Sequence, residues 1–140
     1  MNSINDFVGI PWEQGGTTKH GADCWGLTVL VSREIYGIEI KEFNGSVESG
    51  DKLTSMINGE IESDRWHEST LPKPGDVAVM YNKSTKRPDH IGLFIGDGKI
   101  LHAPDSDANV NIKRSSAIHP VRILKNFFNK IEFYRYDNCI

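Results

Sequence analysis

Three residues stand out as a set that could do covalent chemistry: Cys24, His90 and His102. Cys24 follows Asp23 at the start of a helical pattern, where backbone N–H dipoles point at the sulfur and favour the thiolate. Asp23 opposes this weakly unless its carboxylate is turned away. A lone cysteine is also a common small core residue, so Cys24 alone carries no mechanism. His90 opens the strand-like run His90-Ile91-Gly92-Leu93-Phe94-Ile95, and His102 lies near the end of its hairpin partner. If Gly96, Asp97 and Gly98 form a three-residue connection, Ile95 faces Lys99 and Gly92 faces His102. The two histidines then share a face as diagonal neighbours, roughly 7–8 Å apart at Cα. A two-residue loop would place them on opposite faces. On one face, one imidazole can hold the other, as a nucleophile–base–orienter set requires. Two unrelated strand histidines remain the alternative on spacing alone.

The other chemistry-bearing residues carry less. His20, His67 and His119 sit in polar, loop-like contexts and read as ordinary surface residues. Cys139 is next to the C-terminus, where fraying is expected, and is assigned no role. Neither cysteine belongs to a CxxC pair and no His or Cys cluster has zinc-finger spacing, so neither a metal site nor a disulfide framework is expected.

The elements that must position these residues follow from periodicity. Asp23 to Tyr36 reads as a helix: Asp23 caps it, Leu27, Leu30, Val31 and Ile35 recur at helical spacing, and Gly37 stops it. A weaker helix runs from about Asp51 to Ile61. Pro72-Lys73-Pro74-Gly75-Asp76 is a turn by composition. Beyond it the pattern changes to strands at Val77–Tyr81, Ile91–Ile95, Lys99–Ala103 and Ile131–Tyr136, with a weak one near Val121–Leu124. Helices first and strands second imply an α+β domain with a mostly antiparallel sheet.

The 140 residues fit a single domain, 1–140, with no repeat or linker. A net charge of −3 supplies no field that would draw nucleic acid or an anionic membrane. The basic run Lys83 to Arg87 lacks aromatic residues and reads as a solvated loop. The N-terminal residues show no signal peptide, and no apolar run approaches the ~20 residues of a membrane span. A protein made in the cytoplasm without an export signal is the expectation.

Trp12-Glu13-Gln14-Gly15-Gly16 and Gly21-Ala22-Asp23-Cys24-Trp25-Gly26-Leu27 resemble the Gly-Gly and Asp-Cys signature of the NlpC-type cell-wall cysteine peptidases. His90-Ile91-Gly92-Leu93-Phe94-Ile95-Gly96 and Ile100-Leu101-His102-Ala103 resemble that family's histidine strand and the strand after it. Leu71 to Val77 resembles the turn before its first core strand. The resemblance implies a papain-like α+β fold, with N-terminal helices packed on a small antiparallel sheet. It implies hydrolysis of an amide in the peptidoglycan stem peptide, typically between D-γ-glutamate and a diamino acid, without a cofactor. Carried over by position, Cys24 is the nucleophile, His90 the general base and acid, and His102 the residue that orients His90. Trp12 occupies the position of a common tyrosine, and Trp25 that of a common serine. Trp12, Asp23 and Trp25 are therefore the candidates for oxyanion or substrate contacts. Pro11, both tryptophans, Trp66 and the ending Ile131-Glu132-Phe133-Tyr134-Arg135 resemble the phage-tail branch of the family. That branch would bring the enzyme to the wall in the virion, beside other tail-tip proteins. The alternatives are a structural tail protein without activity, or an amidase or acyltransferase on the same fold.

Overall fold

A computed structural model describes residues 2–40, 51–104 and 114–136. Cys139 lies outside the described residues. After a 3-10 turn (Ile4–Phe7), a two-residue hairpin forms from β1 (Thr17–Thr18) and β2 (Gly21–Ala22), leading directly into α1 (Cys24–Tyr36). The Asp23 side chain accepts from the Gly26 amide, and Gly37, in the left-handed conformation at φ 66°, donates back to the Ser32 carbonyl. These are the two ends expected from the sequence, and both depend only on adjacent residues. Every residue from Cys24 to Ser32 is buried. The β1 segment and the 3-10 turn pack on the helix in addition to the sheet, and its polar Thr28 and Ser32 are buried as well. Next come α2 (Asp51–Ile61) and β3 (Trp66–Glu68).

The remaining strands are β4 (Val77–Asn82), β5 (Pro88–Gly96), β6 (Lys99–His102), β7 (Ala117–Pro120) and β8 (Phe128–Tyr136). With β3 they form one antiparallel sheet in the order β3-β8-β4-β5-β6-β7. The Pro74-Gly75-Asp76 turn leads into the central strand β4. There Asp76, 3% exposed, accepts two hydrogen bonds from the Arg135 guanidinium at 2.9 Å each, and a third from the Lys73 amide.

Strand alternation divides the core. Val77, Val79, Ile91, Leu93 and Leu101 share one face by register and join α1 in the larger buried cluster. Ala78, Met80, Phe94 and Ile100 face the other way and form a second cluster with Leu124. The helices-then-strands scheme thus holds for the main layers, while the β1–β2 hairpin, β3 and β7 are additions to it.

Two local readings are corrected. Val121–Leu124 is not a strand but a single helical turn, α3, begun at Pro120. Its Val121 amide donates to the Gly98 carbonyl and its Val121 carbonyl accepts from the Lys125 amide. That geometry buries Leu124 in the second cluster and leaves Ile123 37% exposed. The strand that the sequence reading placed here lies just before it, as β7. The β5–β6 connection also differs. Gly96 rather than Ile95 pairs with Lys99, across a turn with positive φ at Asp97 (53°) and Gly98 (68°), as a two-residue hairpin requires. A register irregularity between Phe94 and Gly96 takes up one extra residue, so Gly92 still faces His102.

Candidate active site

The approach of the chain to Cys24 is built from close backbone contacts. Ala22 donates to the Pro11 carbonyl, and Trp12 forms a parallel bridge with Ala22, two residues from the cysteine. Asp23 Oδ1 accepts from the Gly26 amide at 2.7 Å and Oδ2 from the Gly15 amide at 2.8 Å. Its charge is thus turned toward the helix start and the Gly15 turn. Burial pushes the Asp23 carboxyl above its ordinary value, although the amides of Gly26 and Gly15 pull the other way. Asp23 is 6% exposed, and both of its oxygens serve the backbone. The expected substrate contact gives way to a capping role.

Gly26 permits this arrangement: a Cβ there would collide with the Gly16 carbonyl and come within 3.1 Å of Asp23 Oδ1. Gly26→Ala is expected to destabilise the chain by about 1–3 kcal/mol, because the obstruction is backbone. Gly59 on α2 has nothing within 4 Å of its would-be Cβ. There, alanine should stabilise by up to about 1 kcal/mol through helix propensity. Thermal denaturation of the two variants checks the pair, and shifts of the same sign would contradict it.

Trp25, also 6% exposed, turns into the core. It lines a small cavity with Ile57, Trp66, Val79, Ile91 and Tyr134, where an indole is a packing group rather than a substrate contact. Trp66 packs edge-on against Tyr136, ring centroids 4.7 Å apart. Trp12 is half-buried, with the Arg114 guanidinium carbon 4.9 Å from its ring centroid.

The histidines meet. His90 Nε2 lies 2.8 Å from His102 Nδ1, both rings buried. His102 Nε2 lies 2.7 Å from Nδ1 of a third ring, His119. His119 was expected on the surface; instead β7 carries it beside β6, paired with Ile100. Phe128 stacks on His90, ring centroids 5.8 Å apart and planes within 4°. Neither His119 nor Phe128 announced itself in the sequence, since no local pattern links either to His90. His20 and His67 are exposed, as expected, although His67 lies in β3. Burial pushes His90 down to about 4. It pushes His102 down to about 2, with His90 and His119 disfavouring a further positive charge.

Cys24 is 7% exposed at the first position of α1, which packs on β5 and β6. It shares the larger buried cluster with Ile91, Leu101 and Ala103, the chain neighbours of His90 and His102. His90 lies near the start of β5 and His102 ends β6, so both mark the same end of the sheet. By register both rings share the sheet face of Ile100, while α1 packs on the other face of the strands that carry them. A thiol at a helix start and a buried imidazole pair at one end of the sheet are the parts of a nucleophilic site.

The chain belongs to the NlpC/P60 family, whose model matches residues 9–124. It is similar to the murein DD-endopeptidase MepS/murein LD-carboxypeptidase of Escherichia coli (strain K12), 28% identical over 106 residues, which cover 76% of this chain and 48% of that protein. It is also similar to the gamma-D-glutamyl-L-lysine dipeptidyl-peptidase of Bacillus cereus, 27% identical over 112 residues, covering 80% and 30% of the two chains. The chain spans about half the length of the first of these relatives and less than a third of the second. Among solved structures, the NlpC/p60 domain of the peptidoglycan hydrolase SagA superposes with a TM-score of 0.57 at 19% identity, covering 92% of this chain and 90% of that one. NlpC1 from Trichomonas vaginalis gives 0.62 at 15% identity, covering 94% and 40%. At these identities the likeness is one of fold, and it agrees with the α+β architecture.

Proposed function

We propose that this chain is a cysteine endopeptidase acting on the peptidoglycan stem peptide, with Cys24 as nucleophile, His90 as base and acid, and His102 as orienter. The observation that carries this reading is the buried His90–His102 hydrogen bond of 2.8 Å, on two strands against which the helix that begins at Cys24 packs. His102 engages Nε2 of His90, so Nδ1 is the nitrogen left to take the thiol proton. The thiolate attacks the amide carbonyl, and the Cys24 backbone N–H, with the Trp12 indole N–H, holds the oxyanion. Imidazolium His90 then protonates the departing amine, and neutral His90 activates water to break the thioester.

The bond we assign is the one between D-γ-glutamate and the diamino acid. The name of the Bacillus cereus relative supports it, whereas that of the Escherichia coli relative refers to a DD bond. The sequence likeness to the phage-tail branch supports action from a virion at the cell wall, in company with other tail-tip proteins.

Digestion of purified peptidoglycan followed by mass spectrometry of the soluble products tests the reading. A new amino terminus on the diamino acid is expected. Fragments ending elsewhere would replace the assigned bond, and intact stem peptides would defeat the enzymatic reading. Mass spectrometry of purified virions should find the chain, and its absence there would remove the tail assignment.

A further inference from the structure

The histidine pair does not end at His102. His102 Nε2 and His119 Nδ1 are 2.7 Å apart, with ring centroids 5.0 Å apart and planes at 65°. His102 is 4% exposed and both of its ring nitrogens have imidazole partners. A neutral imidazole has one N–H and one acceptor nitrogen, so the proton order along three such rings is restricted. If His90 donates through Nε2–H, His102 accepts at Nδ1 and donates through Nε2–H to His119 Nδ1. His90 Nδ1 is then bare and can accept a proton. If the order runs the other way, His119 donates to His102, His102 donates to His90, and His90 carries its proton on Nδ1. That second order leaves the base with no acceptor for the thiol.

We propose that His119 is a positioning residue that holds His102 as the Nε2–H tautomer, and through it keeps Nδ1 of His90 free to act as base. The inference rests on the cysteine-peptidase reading above. The fold supports the placement in two ways. The β6–β7 ladder sets His119 opposite Ile100, diagonal to His102, on the same sheet face as both other histidines. Pro120 then ends β7, and the Val121 amide is tied to the Gly98 carbonyl, so the strand carrying His119 is fastened at its end. A neutral His119 accepting at Nδ1 keeps its own proton on Nε2, the nitrogen not used in the chain.

The test reads the tautomer directly. In ¹⁵N–¹H spectra of the intact protein, His102 is expected as Nε2–H at neutral pH, and a wild-type spectrum with His102 as Nδ1–H would overturn the proposal without any variant. His119→Phe removes the acceptor and keeps bulk; it should populate Nδ1–H on His102. It should also lower kcat on peptidoglycan fragments roughly 10- to 100-fold with little change in KM, as loss of an orienting partner does. His119→Asn supplies a carbonyl acceptor and should recover part of both signals. Unchanged kcat and unchanged tautomer in folded His119→Phe would refute the role. So would a drop in kcat with the His102 tautomer unaltered, since any contribution would then be structural. An inactive wild type would defeat the peptidase reading instead, while the tautomer measurement would still decide whether His119 orders His102.

Discussion

Cys24→Ala is expected to abolish the release of peptide fragments from purified peptidoglycan, by roughly 10⁴-fold or more, while the chain keeps its fold. The expected effect is large because a nucleophile has no substitute: in the proposed mechanism the thiolate makes the covalent bond on which every later step depends. The structural effect is small. Cys24 is buried at 7% exposure, but only its sulfur is lost, at a cost of about 1 kcal/mol in burial. The Asp23 cap on the Gly26 amide involves neither the thiol nor its proton and is retained. Chromatography of digests and circular dichroism of the variant measure the two halves. Wild-type-like cleavage by folded Cys24→Ala would end the cysteine-peptidase reading. The rival reading, an inactive structural tail protein, is separated by alkylation followed through peptide mapping. An activated Cys24 reacts well below the roughly 8.5 of an ordinary thiol, whereas an inert core thiol does not.

His90→Asn should be nearly as damaging to turnover, by roughly 10³- to 10⁴-fold, since the variant lacks the nitrogen that takes and returns the proton. The same substitution has a second signature, in stability. Desolvation in the folded state pushes His90 down to about 4, below the ordinary value of 6.5. The unfolded chain therefore binds a proton as pH falls through 6.5, whereas the folded chain does so only near 4. The contribution of neutral His90 is intact above about pH 6.5, is lost progressively down to pH 4, and changes no further below that. Its full size is on the order of 3 kcal/mol. Wild type should thus lose stability over this interval more steeply than His90→Asn. His102, pushed down in the same direction, keeps a residual slope in the variant. Denaturant midpoints at several pH values between 4 and 7 make the comparison. Parallel curves for the two proteins would show that His90 is not held neutral by burial.

Much of this molecule is written in short stretches of its sequence. Both ends of α1 follow from Asp23 and Gly37, because capping joins groups one to five residues apart. The strands β4, β5, β6 and β8 follow from apolar runs set off by turn residues. Shared-face geometry for His90 and His102 was also legible, although the means differ. The sequence suggested a three-residue loop, whereas a two-residue turn and a β-irregularity give the same parity. Gly96, with its positive φ of 95°, permits that compensation, and a count of loop residues alone does not reveal it.

What the sequence determined by itself was therefore the family, the helix that begins at Cys24, and the hairpin that pairs His90 with His102. The tertiary structure decided the rest. Trp25 and Asp23 were candidates through the family resemblance, Trp25 at the position of a common serine and Asp23 in the Asp-Cys signature, but packing takes the indole into the core and the backbone takes both carboxylate oxygens. His119 looked like a surface residue because its sequence context reads as a loop. It becomes part of the histidine chain only when β7 pairs with β6. The physical reason is range. Caps and turns are settled by neighbouring residues, whereas the partner of a strand edge depends on which distant segment the fold brings against it.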